Sequence, residues 1–453
     1  MDWSFLIRNN SSLSVSTDTR NLPDGCVFVA LKGERFNGNQ FALQALENGA
    51  AYVIVDEDIP QTCSMQKSYE GRIIRVENSL LALQDLARAW RRQWGKTVIG
   101  ITGTNGKTTT KELLAAVLST KYKTHYTQGN LNNSIGVPLT LLQLTNEHEL
   151  AIVEMGASHP GDITELVEVC EPDCGLITNV GKAHLQGFGS FEGVMRTKAE
   201  LYDFILAHNG TIFRNADNPN LEQMYLSAQR SVSLKDGLSS VSRGVPKGLA
   251  RVGCFTAVLY HTGQMPEGTH LVGAYNSENI QAALCVGEYF GVDRETGLQA
   301  IRAYVPSNNR SQKTVTDKNT LIVDAYNANP TSMTAAIEAF TNTKWSNEPI
   351  NGQLVNDKMV NAQKPLAFVL GAMRELGEYS HTEHQNIVNM LLERKADTVL
   401  LVGDEYRETT APYPVFSTVD DLCEHLRQQP LSGCTVLIKG SRSNQLEKVI
   451  PLL

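Results

Sequence analysis

The sequence predicts an α/β protein of three domains: a small N-terminal α/β domain (1–95), a central domain with a phosphate loop on a doubly wound, mostly parallel sheet (96–310), and a C-terminal Rossmann-like domain (311–453). Three observations predict it. Short apolar, β-branched runs alternate with helix-patterned stretches in three successive series. A glycine-rich loop ending in Gly-Lys-Thr opens the second series. And a chain of 453 residues is too long for one hydrophobic core.

The first series contains "CVFVALKG", "AAYVIVD" and "GRIIRV", with the helix-like "FALQALENGA" between the first two. The amphipathic run "SLLALQDLARAWRRQWG" closes it. A fresh strand starts at Thr97, and "VIGITGTNGKTTTKELL" (98–114) carries the loop. Gly103 and Gly106 let the backbone fold back so that successive N–H groups, from Thr104 and Asn105 to Thr109, face one concavity. Lys107 offers a point charge to β- and γ-phosphates, and the Thr108 hydroxyl suits Mg²⁺. Leu113, Leu114, Val117 and Leu118 recur at helical spacing, which places the loop at a positive helix N-terminus. The general phosphate-loop pattern is not fully met, because Ile101 stands at its first glycine.

Two more strands follow, "ELAIVEMG" and "CGLITNV". Turn-rich sequence from Thr211 to His270 predicts antiparallel additions to the sheet. The third series runs through "TLIVDAY", "LAFVLGAM", "DTVLLVGD" and "TVLIKG", interrupted by a polar stretch (341–365) that reads as a surface insertion.

Charged residues make up 19% and the net charge is −8, which argues against a nucleic-acid footprint; local lysines and arginines can still hold an anionic substrate. The eight cysteines are scattered without metal-ligand spacing, so Cys170 and Cys174 read as core thiols. No signal-peptide pattern opens the chain, and no apolar run has the length to cross a bilayer. A reducing, cytoplasmic setting is expected.

In open α/β sheets, ligands collect beyond the carboxyl ends of strands. Glu154 ends "ELAIVE", where a carboxylate either reaches a nucleotide-bound Mg²⁺ or stays a solvated acid. His184 lies in the glycine-punctuated "TNVGKAHLQGFG", as a metal ligand or a structural histidine. Lys198, in "MRTKAELYDF", has the spacing of an exposed helix face and by spacing alone is a solvated lysine. Asp324 ends "TLIVD", and the turn after it brings Asn327 and Asn329, whose amides suit a base or ribose. Arg310 falls at the join of the second and third domains, where it either reaches a transferred phosphate or is solvated.

These segments together resemble the Mur ligase family of ATP-dependent amide-forming enzymes. The resemblance runs in order through "STDTR" (16–20), "GTNGKTTTKE", "GNLNNSIGVPLTLL", "EMGASHPGDI", "TNVGKAHLQGFGS", "GAYNSENIQAAL", "DAYNANPTSM", "LGAMRELGEYSHTEH" and "KGSRS". Within that family, the segments "DAYNANP" and "LGAMRELG" are more specific, and resemble those of the ligase that acts last in peptidoglycan precursor synthesis. The resemblance implies joining of D-alanyl-D-alanine to the terminal carboxylate of UDP-N-acetylmuramoyl-tripeptide through an acyl phosphate. It places the reaction in cell-wall precursor synthesis, and hence in cell shape and division, by a monomer. It further implies that Thr108 and Glu154 hold one Mg²⁺, and that His184 with a carbamylated Lys198 serves a second. Asn279, Asn327 and Asn329 would lie near adenine and ribose, Arg310 and Asp324 near phosphates and ribose. Ser16, Asp18 and Arg20 would hold the UDP end, and Asn132, Asn133 and Ser134 would line the path of the muramoyl peptide.

The sequence departs from the family pattern where Gly-x-His-Asn is usual, since Tyr275 takes the histidine position. A diaminopimelate-adding ligase would carry Asp-Asn-Pro-Arg in the last domain. The similar "DNPN" (217–220) lies in the middle domain and lacks the arginine. A folylpolyglutamate synthetase shares the loop but not "STDTR" or "DAYNANP". A nucleotide switch that has lost catalysis is the reading from another class; the joint presence of Lys107, Glu154, His184 and Lys198 speaks against it.

Overall fold

A computed structural model describes residues 2–8, 10–59, 69, 71–235, 256–306, 310–343, 345 and 365–453. Three main sheets follow one another along the chain. The first has four parallel strands, in spatial order Val15–Ser16, Val27–Val29, Tyr52–Val55 and Ile73–Arg75. Its closing helix, Ser79–Trp94, starts at Asn78, whose side chain accepts from the N–H groups of Leu80 and Leu81. It ends at Gly95 in the left-handed conformation (φ 65°). This helix joins the first sheet to the second. Trp90 and Trp94 donate their indole N–H groups to the carbonyls of Leu144 and Thr145, each at 3.0 Å. Arg91 bonds the Cys170 carbonyl (3.0 Å) and the Asp173 carboxylate (2.9 Å).

The second sheet has six strands, all parallel: Thr256–Tyr260, Thr211–Asn215, Cys174–Ile177, Thr97–Thr102, Leu150–Glu154 and Thr124–Tyr126. From Thr97–Thr102 the chain first builds one side of the sheet and then crosses to the other. The reversal therefore falls at the carboxyl end of Thr97–Thr102, where ligands bind in such sheets. The expectation of antiparallel additions between Thr211 and His270 is corrected: the two strands there continue the parallel order. The helix Pro219–Lys235 leads from the first of them, as a parallel crossover demands. Residues 236–255 lie outside the described residues.

The third sheet also has six strands, in order Gln312–Val315, Thr320–Asp324, Thr435–Lys439, Leu366–Gly371, Thr398–Val402 and Val415–Phe416. Only the first pairing is antiparallel. Most of the polar stretch 341–365 lies outside the described residues. Cys170 and Cys174 are buried thiols, as expected from their spacing. Among the described residues, no helix is long and apolar enough to cross a membrane.

Candidate active site

The loop after Thr97–Thr102 is shaped by two glycines. Gly103 has φ +146°, and a Cβ there would lie 2.0 Å from Thr178 Oγ1. Gly106 has φ +78°, and a Cβ there would meet Asn279 Oδ1 at 2.4 Å. The helix Lys107–Leu118 starts at once, with Leu113, Leu114, Val117 and Leu118 buried on its core face. Lys107 folds back over the loop, donating to the carbonyls of Gly103 (2.6 Å) and Thr104 (3.0 Å). Burial pulls its pKa down to about 8; Glu154 opposes the fall and the nearby Arg310 cation adds to it.

Glu154 is 1% exposed, which excludes the solvated-acid reading. Its Oε1 accepts from the Thr108 hydroxyl (3.2 Å) and the Asn132 amide (2.8 Å). Its Oε2 is buried and accepts no hydrogen bond from the described residues. A hydroxyl and a half-satisfied buried carboxylate side by side are hard oxygen donors that fit Mg²⁺. The nearest cation is Lys111, itself 1% exposed, with Nζ 3.9 Å from that oxygen and bonded to the Thr127 carbonyl at 2.6 Å. Lys111→Met strips a buried carboxylate of its counter-charge. It is expected to cost about 3 kcal/mol of stability, read from the denaturant midpoint; an unchanged midpoint would contradict the pairing.

These groups open on a cleft of about 730 Å³ between the second and third sheets. It is lined by Thr104 to Thr109, Asn132, Asn133, Ser134, Glu154, His184, Asn279, Arg310, Asp324 and Asn327. The sequence named all of these. Gly103, Lys198, Asn329, Ser16, Asp18 and Arg20 are not part of that lining. Ser16, Asp18 and Arg20 form a half-buried knot of their own with Arg20 at its exposed side, on Asp18 at 2.6 Å.

Lys198 requires a correction. Spacing places it on an exposed helix face, yet it is 2% exposed. The helix Phe191–Ala207 packs against both Asp162–Cys170 and Pro219–Lys235 as well as the sheet, so more than one stripe is buried. Burial holds the Lys198 amine far below the ordinary lysine pKa, and the Lys107 cation adds to this against weaker help from Asp162 and Glu200. His184 has left-handed backbone (φ 50°), and its Nδ1 pairs with the Glu375 carboxylate of the third-sheet region. Burial lowers its pKa although Glu375 opposes this. No group of three or more His, Cys, Asp or Glu converges among the described residues. The Lys198 amine is close enough to His184 that its charge adds to the fall in the histidine's pKa.

Two asparagines are engaged within the protein. Asn279 accepts from the Thr110 hydroxyl (3.0 Å) and donates to Asn276 (2.9 Å), bracing the helix behind the loop. Asn329 caps the helix Pro330–Asn342 through the Ser332 N–H (2.9 Å) and donates to Asn105 Oδ1 (2.8 Å). That bond ties the phosphate loop to the third sheet. A second tie is Lys182 to the buried Glu383 at 2.7 Å.

Sequence reasoning missed three residues of the cleft's far wall and rim. Lys439, 1% exposed, donates to Asp324 Oδ2 at 2.5 Å and to the Asn327 carbonyl at 3.2 Å. The signal was its place at a strand end, since Lys439 registers with Asp324 on the neighbouring strand. Tyr326 lies under Arg310, whose guanidinium carbon is 4.0 Å from the ring centre. Glu375, paired with His184, had no local signal.

Comparison with known proteins follows the same segments. Residues 14–91 match the Mur ligase family catalytic domain, 101–287 the Mur ligase middle domain and 309–442 the Mur ligase glutamate ligase domain. The chain is 35% identical to UDP-N-acetylmuramoyl-tripeptide–D-alanyl-D-alanine ligase of Escherichia coli, over 97% of the chain and 93% of the relative. It is 32% identical to the enzyme of that name in Bacillus subtilis, over 96% and 92%. Among solved structures it is similar to the MurF ligase of Thermotoga maritima in complex with ADP. The TM-score is 0.77 at 26% identity, covering 97% of each chain.

Proposed function

The chain belongs to the Mur ligase family, and on that premise we propose that it joins D-alanyl-D-alanine to the terminal carboxylate of UDP-N-acetylmuramoyl-tripeptide at the expense of ATP. The products are UDP-N-acetylmuramoyl-pentapeptide, ADP and phosphate. The observation that carries this reading is the single cleft in which the phosphate loop faces Arg310, Asp324 and Lys439 across the domain boundary.

A free carboxylate does not yield an amide at neutral pH, because oxide is a poor leaving group. The tripeptide carboxylate therefore attacks the γ-phosphorus, ADP departs, and an acyl phosphate results. The dipeptide amine then attacks the acyl carbon, loses its proton, and expels phosphate. Lys107 and Arg310 offset the repulsion between an anionic nucleophile and a polyanion. Thr108 and Glu154 would hold Mg²⁺, which when bound neutralises phosphate oxygens. Asp324 faces the nucleotide side of the cleft, its carboxylate held in place by the Lys439 ammonium. Walls from two domains keep water from the acyl phosphate.

Lys198 completes the proposal. A buried amine held neutral is a nucleophile for CO₂: its nitrogen bonds the carbon, a proton is released, and an anionic carbamate remains. That carbamate, with His184, would hold the second Mg²⁺. Protein equilibrated with ¹³C-bicarbonate is expected to give a carbamate carbon resonance that Lys198→Met lacks. A spectrum identical in both proteins would contradict the assignment.

Residues 1–95, with Ser16, Asp18 and Arg20, are proposed to hold the UDP end, and Asn132 to Ser134 the peptide path. A cytoplasmic monomer without nucleic-acid partners goes with this reading. Phosphate release is the test. It should require tripeptide nucleotide and D-alanyl-D-alanine together and yield pentapeptide by mass. Release with the dipeptide nucleotide and a diamino acid instead would overturn it.

A further inference from the structure

Tyr275 lies at the cleft immediately before the helix Asn276–Tyr289 of the middle domain. Its ring is seated over Gly273, where a Cβ would fall 2.4 Å from the ring edge, so this bend accepts the phenol only because residue 273 is glycine. The phenol oxygen is 2.5 Å from Ser311 Oγ. Ser311 has left-handed backbone (φ 51°), uncommon for a residue with a side chain, and it directly precedes the first strand of the third sheet, Gln312–Val315. The Tyr275–Ser311 contact thus crosses the domain boundary at the point where the chain itself crosses.

Arg310 is the next residue back. Its guanidinium carbon lies over the Tyr326 ring, while its buried Nε finds no hydrogen-bond partner among the described residues. A cation over a ring is held to that face but not to one point along it. The backbone at Ser311 decides where along that ring the side chain emerges. Burial, with the Asp324 carboxylate nearby, keeps the Tyr275 phenol protonated and able to hold Ser311.

We propose that Tyr275 is a positioning residue, whose hydroxyl pins Ser311 at the interdomain crossing and so holds Arg310 in place at the phosphate side of the cleft. This rests on the reading of Arg310 as a phosphate-side cation. Tyr275 acts through Ser311 and Arg310 and makes no contact with the reacting atoms.

The test measures kcat and ADP affinity in Tyr275→Phe, Ser311→Ala, the double variant, and each single change in an Arg310→Ala background. Each single variant is expected to lower kcat about tenfold while ADP affinity stays within about twofold, and the double variant is expected to fall no further. In Arg310→Ala, neither change should add a loss. Unchanged kcat in both single variants would overturn the proposal. So would weaker ADP binding without a fall in kcat, or losses that multiply in the Arg310→Ala background. Full activity of Arg310→Ala itself would overturn the reading of Arg310, and the proposal with it, while leaving any coupling between Tyr275 and Ser311 measurable. Should Tyr275→Phe fail to fold, Ser311→Ala leaves the half-buried ring in place and carries the test alone.

Discussion

Lys198→Met lowers turnover by about a thousandfold and does not unfold the protein; that is the expected result for a lysine whose carbamate is needed for catalysis. Methionine fills nearly the same buried volume without a group that desolvation penalises. The stability change has a definite sign. Folded Lys198 has a pKa far below the ordinary 10.5, so below 10.5 the unfolded chain binds the extra proton more readily. In buffer free of CO₂, native stability therefore rises with pH until the unfolded value is reached. Lys198→Met removes that slope and is expected to raise the thermal midpoint at neutral pH. Turnover and midpoint should thus move in opposite directions. Retained turnover would contradict the role given to Lys198, and a lowered midpoint would contradict its burial as a neutral amine.

Lys107→Met is the second large effect, a loss of about a thousandfold in kcat/KM for ATP. Lys107 is poised over the loop by two carbonyls and loses only weak neutral acceptors when phosphate arrives. Its pKa of about 8 in the free protein predicts more than a simple loss. Only the protonated amine attracts phosphate, so ATP affinity should decline as pH rises through about 8, and the decline should be absent in Lys107→Met. Binding titrations from pH 6 to about 9.5 check this. Equal slopes in both proteins would mean that another group titrates.

The phosphate loop was legible because it is local. A β-branched strand, glycines with positive φ and a helix start follow one another within a dozen residues. Glu154 and Asp324 were legible as strand ends of mostly parallel sheets. The direction of Thr211–Asn215 and Thr256–Tyr260 was not, since composition marks a strand but not its sense. Lys198 was misread because helical spacing assumes one buried stripe, whereas its helix is packed on several sides. Asn279 and Asn329, expected near adenine and ribose, also brace the loop and join the domains through their amides, contacts with no local signal in the sequence. Lys439, Tyr326 and Glu375 depend on which strands and loops become neighbours, information that only the assembled sheets contain.

The central claim is that the phosphate goes to a carboxylate before any amide forms. It is tested most directly by following oxygen. Tripeptide nucleotide bearing ¹⁸O at both oxygens of its terminal carboxylate is turned over with ATP and D-alanyl-D-alanine, and the released phosphate is weighed by mass spectrometry. An acyl phosphate passes one carboxylate oxygen to phosphorus, so each phosphate should carry a single ¹⁸O. Unlabelled phosphate formed alongside pentapeptide would contradict the account.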